Sequence, residues 1–292
     1  DGACLVRIAW PELGLAEAKG NVGALMLSFS DTVFAGIFRH YAVPLLSLGL
    51  GLAGFWWLAK RRNRVEAFSS FKEAASAKTA NPNSLASFKA LRALLREYGV
   101  KKLEDELAAG GLVKDGKLTT GTKPFNLFAR LGAGEMSQPE MAASNALLGQ
   151  AGSRFVVCCN RAENDEHWQS SAPEWVGKAS MSQRHRFLTV RDLDWHWFNA
   201  VSFGIGGGDE LRRAIARIEE ALTAAKAFAK ADGWSSNVGL FFHVYPHNSV
   251  QSFHLHIVDL DVTGPTHEAM KYKNMPAEDV LAVLRAEAAG QL

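Results

Sequence analysis

The sequence predicts an α+β protein, a β-sheet with a helix packed on it, preceded by a small helical region and a single transmembrane helix. Three observations carry that expectation. Between Ser252 and Ile257 polar and apolar residues alternate, the period of a strand with one face buried. Upstream, Leu211, Ile215, Ile218, Leu222 and Phe228 recur at helical spacing within 210–231, and an apolar strand-like run, 238–244, follows at once. Far upstream, Tyr41 to Ala59 holds no charged residue in nineteen positions, close to the length that spans a bilayer's hydrocarbon core.

Composition bounds the function classes. The 292 residues are 48% hydrophobic, ordinary for a folded protein. Thirty-two basic residues against 30 acidic ones leave a charge of only +2, so no nucleic-acid partner is expected. Cys4 and the adjacent Cys158-Cys159 form neither a disulfide framework nor a metal spacing, and the pair reads as buried, inert thiols. The chain begins at Asp1, as a processed organellar or exported protein, or a truncated chain, would.

Residues 1–32 read as a loop-rich segment. Residues 33–60 form the transmembrane candidate, with Trp56 and Trp57 at the interface and Lys60-Arg61-Arg62-Asn63-Arg64 next. A buried core helix or a signal-anchor fragment is the alternative. The basic cluster puts the C-terminal bulk on the matrix-, stroma- or cytoplasm-like side, and the processed start suits an organellar inner or thylakoid membrane. Gly49, Gly51, Ala53 and Gly54 give the helix a small-sided part for contact with other membrane-protein subunits.

A helical and loop connector follows over 61–150. Its amphipathic helices, 65–78, 85–98 and 101–109, read as core or docking faces, the second capped by Asn83 or Ser84 and stopped by Gly99. From 112 to 134 turn signals dominate, around an apolar island, Phe125 to Leu131, that packs the loop onto a neighbour. Ser137-Gln-Pro-Glu140 starts another short helix.

The last domain, 151–292, opens with a buried strand, 154–159, and continues through a polar excursion, 160–181, to a second strand, 185–192. Trp195-His196-Trp197 is an aromatic cluster able to stack on a base or to face a partner. Gly204 to Gly208 lacks both the order and the lysine of a phosphate loop and reads as a turn. Asp209 caps the long helix, and a final helix runs from about Pro276.

Chemistry concentrates at His247-Asn-Ser-Val-Gln-Ser-Phe-His-Leu-His-Ile-Val-Asp-Leu-Asp261. Strand alternation puts Ser252, His254 and His256 on one face, where two imidazoles can act on one ligand. Metal ligation, acid/base work and attack on phosphorus are all open to such a pair, as is simple bonding to backbone. A metal would need more ligands, and His243, His247, Asp259 and Asp261 stand in no recognised zinc spacing, so neither metal nor cofactor is expected.

The stretch resembles the histidine-triad (HIT) superfamily of nucleotide hydrolases and transferases, whose motif is His-φ-His-φ-His-φ-φ with a serine on its approach. In that register Ser252 replaces the first histidine, His254 is the middle one, His256 the third, and Ile257-Val258 the closing apolar pair. A second register, with His254 first and His256 as nucleophile, strands Ser249. Gly239 to Pro246, Asp261 to Pro265 and Lys271-Tyr-Lys-Asn274 extend the likeness towards the aprataxin-type branch, without the zinc finger of its DNA-repair members. The resemblance implies an antiparallel sheet with a packed helix in the C-terminal half. It also implies a metal-free mechanism in which His254 becomes transiently nucleotidylated, while Ser249, His256 and His243 hold the phosphate of a purine nucleotide. The 185–192 strand resembles the one that runs along the family's nucleotide site.

Two functions follow. The anchor, the insertions and Ser252 favour an accessory or scaffold subunit of an energy-transducing membrane complex with a degenerate pocket. The two remaining histidines favour an active nucleotide hydrolase or nucleotidyl transferase. A cavity open over His254 and His256 would speak for chemistry, and one filled by Trp195, Trp197 or the 160–181 segment for scaffold.

Overall fold

A computed structural model describes residues 70–78 and 83–291, all of them within one compact unit. In chain order the elements are α1 (Phe71–Ser76), α2 (Leu85–Tyr98), α3 (Val100–Ala109), the hairpin β1 (Val113–Lys114) and β2 (Lys117–Leu118), α4 (Leu127–Ala133) and α5 (Met141–Ala146). Then come β3 (Phe155–Cys159), α6 (Ala162–Glu166), β4 (His185–Val190), α7 (Gly208–Ala231), β5 (Val238–His243) and β6 (Leu255–Asp259). α8 (Pro265–Met270), β7 (Asn274–Pro276) and α9 (Ala277–Ala288) complete the chain.

Among the described residues no helix is long and apolar enough to cross a membrane. This corrects the expected single-pass membrane protein. The longest of the described helices, α7, has 24 residues but carries charges all along its outer side. The stretch 33–60 that prompted the expectation, like the loop-rich 1–32, lies outside the described residues.

The sheet is antiparallel throughout, in the order β3-β4-β6-β5-β7. The strand read from alternation over Ser252 to Ile257 begins only at Leu255, as β6, with Ser252 and His254 on its approach, and β6 is central in the sheet. One face of the sheet, with Leu188, Leu240, Phe242, Leu255 and Ile257, packs into the main core with Ile218 and Phe228 of α7 and Leu284 of α9. Fully burying each such side chain stabilises by about 1.5–3 kcal/mol. The opposite face carries the histidines. Under it sits a smaller cluster in which Phe128 and Leu131 of α4 meet Val156 and Cys158 of β3. There α4 lies so close to β4 that a Cβ on Gly132 would come within 2.2 Å of the Val190 carbonyl oxygen.

The expected connector shares the sheet's main core, since Phe71, Leu91, Leu95 and Leu103 belong to it. Arg92, fully buried on α2, ties the two parts. Its guanidinium donates to both Glu287 oxygens at 2.8 and 2.6 Å, and to the carbonyls of Val201 and Phe203 at 3.0 and 2.8 Å. Ser84 caps α2 by accepting from the Ser87 N–H at 3.1 Å. Asp209 does not cap α7: Gly207, at φ +76°, holds that position, and Asp209 and Glu210 sit in the first turn, where the helix dipole favours negative charge.

Candidate functional site

Four buried histidines share one face of the sheet. His256 pairs across the ladder with Phe187 of β4 and Phe241 of β5, while His185 and His243 stand two residues further along those strands on the same side. Each side chain of the group is at most 7% exposed. Their ring partners determine where each proton sits.

At His254, Nδ1 lies 2.7 Å from the Ser252 carbonyl oxygen, which can only accept, so Nδ1 carries the proton and Nε2 keeps its lone pair. At His185, Nδ1 accepts from the Met181 N–H at 3.1 Å, so the neutral ring holds its proton on Nε2 and donates it to His256 Nδ1, also at 3.1 Å. His256 is thereby left with its proton on Nε2, a buried donor with no hydrogen-bond partner among the described residues. His243 donates from Nε2 to Asn274 Oδ1 at 2.8 Å, which frees Nδ1 as an acceptor. One backbone N–H thus decides, two rings away, that His256 offers a hydrogen rather than a lone pair.

Burial keeps all four rings neutral. It pushes His185 down to about 3 and His254 down to about 4, with Arg186 adding to the first and Lys273 to the second, against the upward pull of the Ser252 carbonyl. His243 and His256 lie well below 6.5 for the same reason, helped by Lys273 and the neighbouring rings.

These rings line a cavity of about 320 Å³, within the ordinary size range of ligand pockets. Ser249 is at its exposed rim. Phe128, Phe187, Met181 and Val250 supply apolar wall, while Asn160, Arg161, Asn164 and Lys178 come from the 160–181 excursion. That excursion is a wall, not a plug. It is pinned by the Gly177 N–H to Thr266 Oγ1 at 3.2 Å, by Arg186 to Asp165 at 2.9 Å, and by a contact at Gly264 so close that a Cβ would meet the Trp168 oxygen at 1.9 Å. No carboxylate lines the cavity among the described residues, whereas Lys273, 8% exposed and lowered in pKa by burial, does.

No family model, curated protein or solved structure matches the chain. The cavity's chemistry rests on its own side chains.

His243, His254 and His256 each offer one ligand atom, all within 4.8 Å of one another, and sequence spacing alone does not reveal that grouping. The donor set suits an anion better than a cation. The His256 nitrogen that faces no partner holds a hydrogen. The His243 and His256 rings are tilted by 38° with centroids 4.0 Å apart, whereas two imidazoles on one tetrahedral zinc would hold their centres roughly 5 Å apart. Lys273 adds a positive charge where a metal site would carry negative ones.

The remaining candidates fall elsewhere. Ser252 turns its hydroxyl away from His254, donating at 2.8 Å to Asn126 Oδ1, and serves the nucleophile position through its carbonyl alone. Trp195 and Trp197 belong to the main core, and the Trp197 indole donates to Asp192 at 3.1 Å, so of the readings open to this aromatic pair, stacking on a base held at the histidines has no support. Asp259 is committed to Ser235 at 2.6 Å, and His247 meets Tyr272 edge-on with ring centres 5.8 Å apart. Cys158 and Cys159 are free and buried, burial raising both thiols. Sequence reasoning missed Asn126, Phe128 and the role of Lys273. The last stood within a stretch already set beside the aprataxin-type branch, while the first two lay in the apolar island Phe125 to Leu131, whose neighbour the sequence does not name.

Proposed function

We propose that the protein acts on a phosphate ester of nucleotide type, with His254 as nucleophile. The observation that carries this reading is the pairing, in one carboxylate-free cavity, of an unprotonated His254 Nε2 with the His256 Nε2–H and the Lys273 ammonium. A lone pair aimed at phosphorus beside donors for its oxygens is what attack on an anionic centre requires. His254 Nε2 forms a bond to phosphorus as the P–O bond to the leaving group breaks, and the leaving oxygen takes a proton from Lys273. Water then attacks phosphorus, the N–P bond breaks, and a proton returns to Lys273. His256 and Ser249 hold the phosphoryl oxygens, and His243 accepts a hydroxyl or amide hydrogen of the substrate.

Ser252 in place of the motif's first histidine leaves this arrangement intact, because the nucleophile's tautomer is fixed by a backbone carbonyl. Both histidines line the cavity, the 160–181 segment forms part of its wall, and Trp195 and Trp197 lie in the main core, so neither expected plug fills it. A pocket that binds without turnover is favoured by one observation only, the engagement of the Ser252 hydroxyl with Asn126.

The test is single-turnover incubation of the full chain with an α-phosphate-labelled adenylated substrate, beside His254→Ala. Label trapped on the protein and absent from the variant is expected. Tight binding without covalent label would establish the non-turnover pocket instead, and neither binding nor label would overturn the reading.

A further inference from the structure

The histidine face is closed from a part of the chain that the motif does not contain. Asn126, 1% exposed, spans the entry to the motif: its amide donates to the Gln251 carbonyl at 2.9 Å and its oxygen accepts from Ser252 Oγ at 2.8 Å. The clamp therefore grips the two residues that end in the carbonyl bonded to His254 Nδ1. Two residues on, the Phe128 ring lies flat on the His254 ring, centroids 4.8 Å apart and planes 8° from parallel. Phe187 braces Phe128 from the side at 5.0 Å. The close fit of Gly132 against the Val190 carbonyl keeps α4 from moving off the sheet.

We propose that Asn126 and Phe128 are positioning residues for His254, Asn126 by immobilising the Ser252 carbonyl and Phe128 by covering the imidazole face. Together they perform, from before the sheet begins, the orienting task that Ser252's side chain does not. The catalytic consequence rests on the nucleophile reading above; the structural one does not. Phe128 also excludes water from a ring that faces Lys273, His185, His243 and His256, so its loss lets the His254 pKa rise towards 6.5.

The experiment compares full-length wild type with Asn126→Ala, Phe128→Leu, the conservative Phe128→Tyr and the mild Ser252→Ala. Two readouts are taken: imidazole nitrogen NMR of His254, and the single-turnover labelling rate across pH. Asn126→Ala is expected to broaden or remove the His254 Nδ1–H signal, and Phe128→Leu to move the labelling midpoint upward in pH. Each is expected to slow labelling about ten- to hundredfold, in the range of lost supporting hydrogen bonds at functional sites, with little change in substrate affinity. Phe128→Tyr restores both midpoint and rate, and Ser252→Ala gives a fraction of the Asn126→Ala effect. An unchanged Nδ1–H signal and unchanged midpoint in folded Asn126→Ala and Phe128→Leu would overturn the proposal. If either fails to fold, Ser252→Ala and Phe128→Tyr decide it on the same signal. If wild type never labels, the nucleophile reading falls alone and the NMR readout still judges the positioning.

Discussion

Histidine meets opposite surroundings in two of the protein's clefts. In the cavity on the sheet, His185, His243, His254 and His256 touch no carboxylate and burial holds them neutral. In a second cleft of about 290 Å³, at the N-terminal end of α7, Asp192, Asp194, Glu210 and Glu220 alternate with Arg154, Arg213 and Arg217. There His196 sits with Nδ1 2.6 Å from Asp194 and Nε2 3.4 Å from Glu210. Burial pulls its pKa down, but the Asp194 hydrogen bond and the two carboxylate charges outweigh it and the net shift is upward. The same side chain is thus set up as a neutral donor–acceptor in one place and, in the other, as a group whose protonated form two carboxylates favour. What differs is carboxylates, not depth alone.

The largest test of this contrast is acid stability. Groups held below 6.5 when folded bind protons more readily unfolded, so as pH falls from about 6.5 towards 4 the unfolded state gains protons and stability drops. His254 alone is worth on the order of 3 kcal/mol over that range. Urea midpoints measured from pH 7.5 to 4.5 should therefore fall steeply, and a flat profile would break the comparison. Next in size is Lys273→Met, expected to weaken binding of inorganic phosphate about tenfold, as loss of a charged hydrogen bond does. The same change should raise the titration midpoint of His254, which Lys273 now depresses, read by NMR. The smallest effect is Asp194→Asn. The His196 contribution is present in full below about 6.5 and lost as pH rises through its raised folded value. The variant should cost about 0.5 kcal/mol below pH 6.5 and progressively less as pH rises through the raised His196 value, since Asp194 is half exposed and well screened.

Much of this was legible in sequence, and the boundary is physical. The alternation that put Ser252, His254 and His256 on one face follows from strand geometry, and β3, β4, β5 and α7 fall close to where periodicity placed them. Local patterns report local structure. They do not report that Ser252 would bond Asn126, 126 positions away, or that an apolar island at Phe125 to Leu131 would become the helix under the nucleophile. Nor do they show that one backbone N–H, at Met181, sets the tautomer of His256 through His185. The connector expected over 61–150 looked separable because its helices carry ordinary amphipathic stripes; only packing reveals that those stripes and the sheet share one core.

The strand order has a consequence for biosynthesis. Because β6 lies between β4 and β5 although it is made after both, the sheet has a gap at its centre until residue 259 has emerged. The charge on Arg92 waits still longer, for Glu287, five residues from the end. Ribosome-bound chains stopped before residue 255 should accordingly be open to protease throughout 83–243.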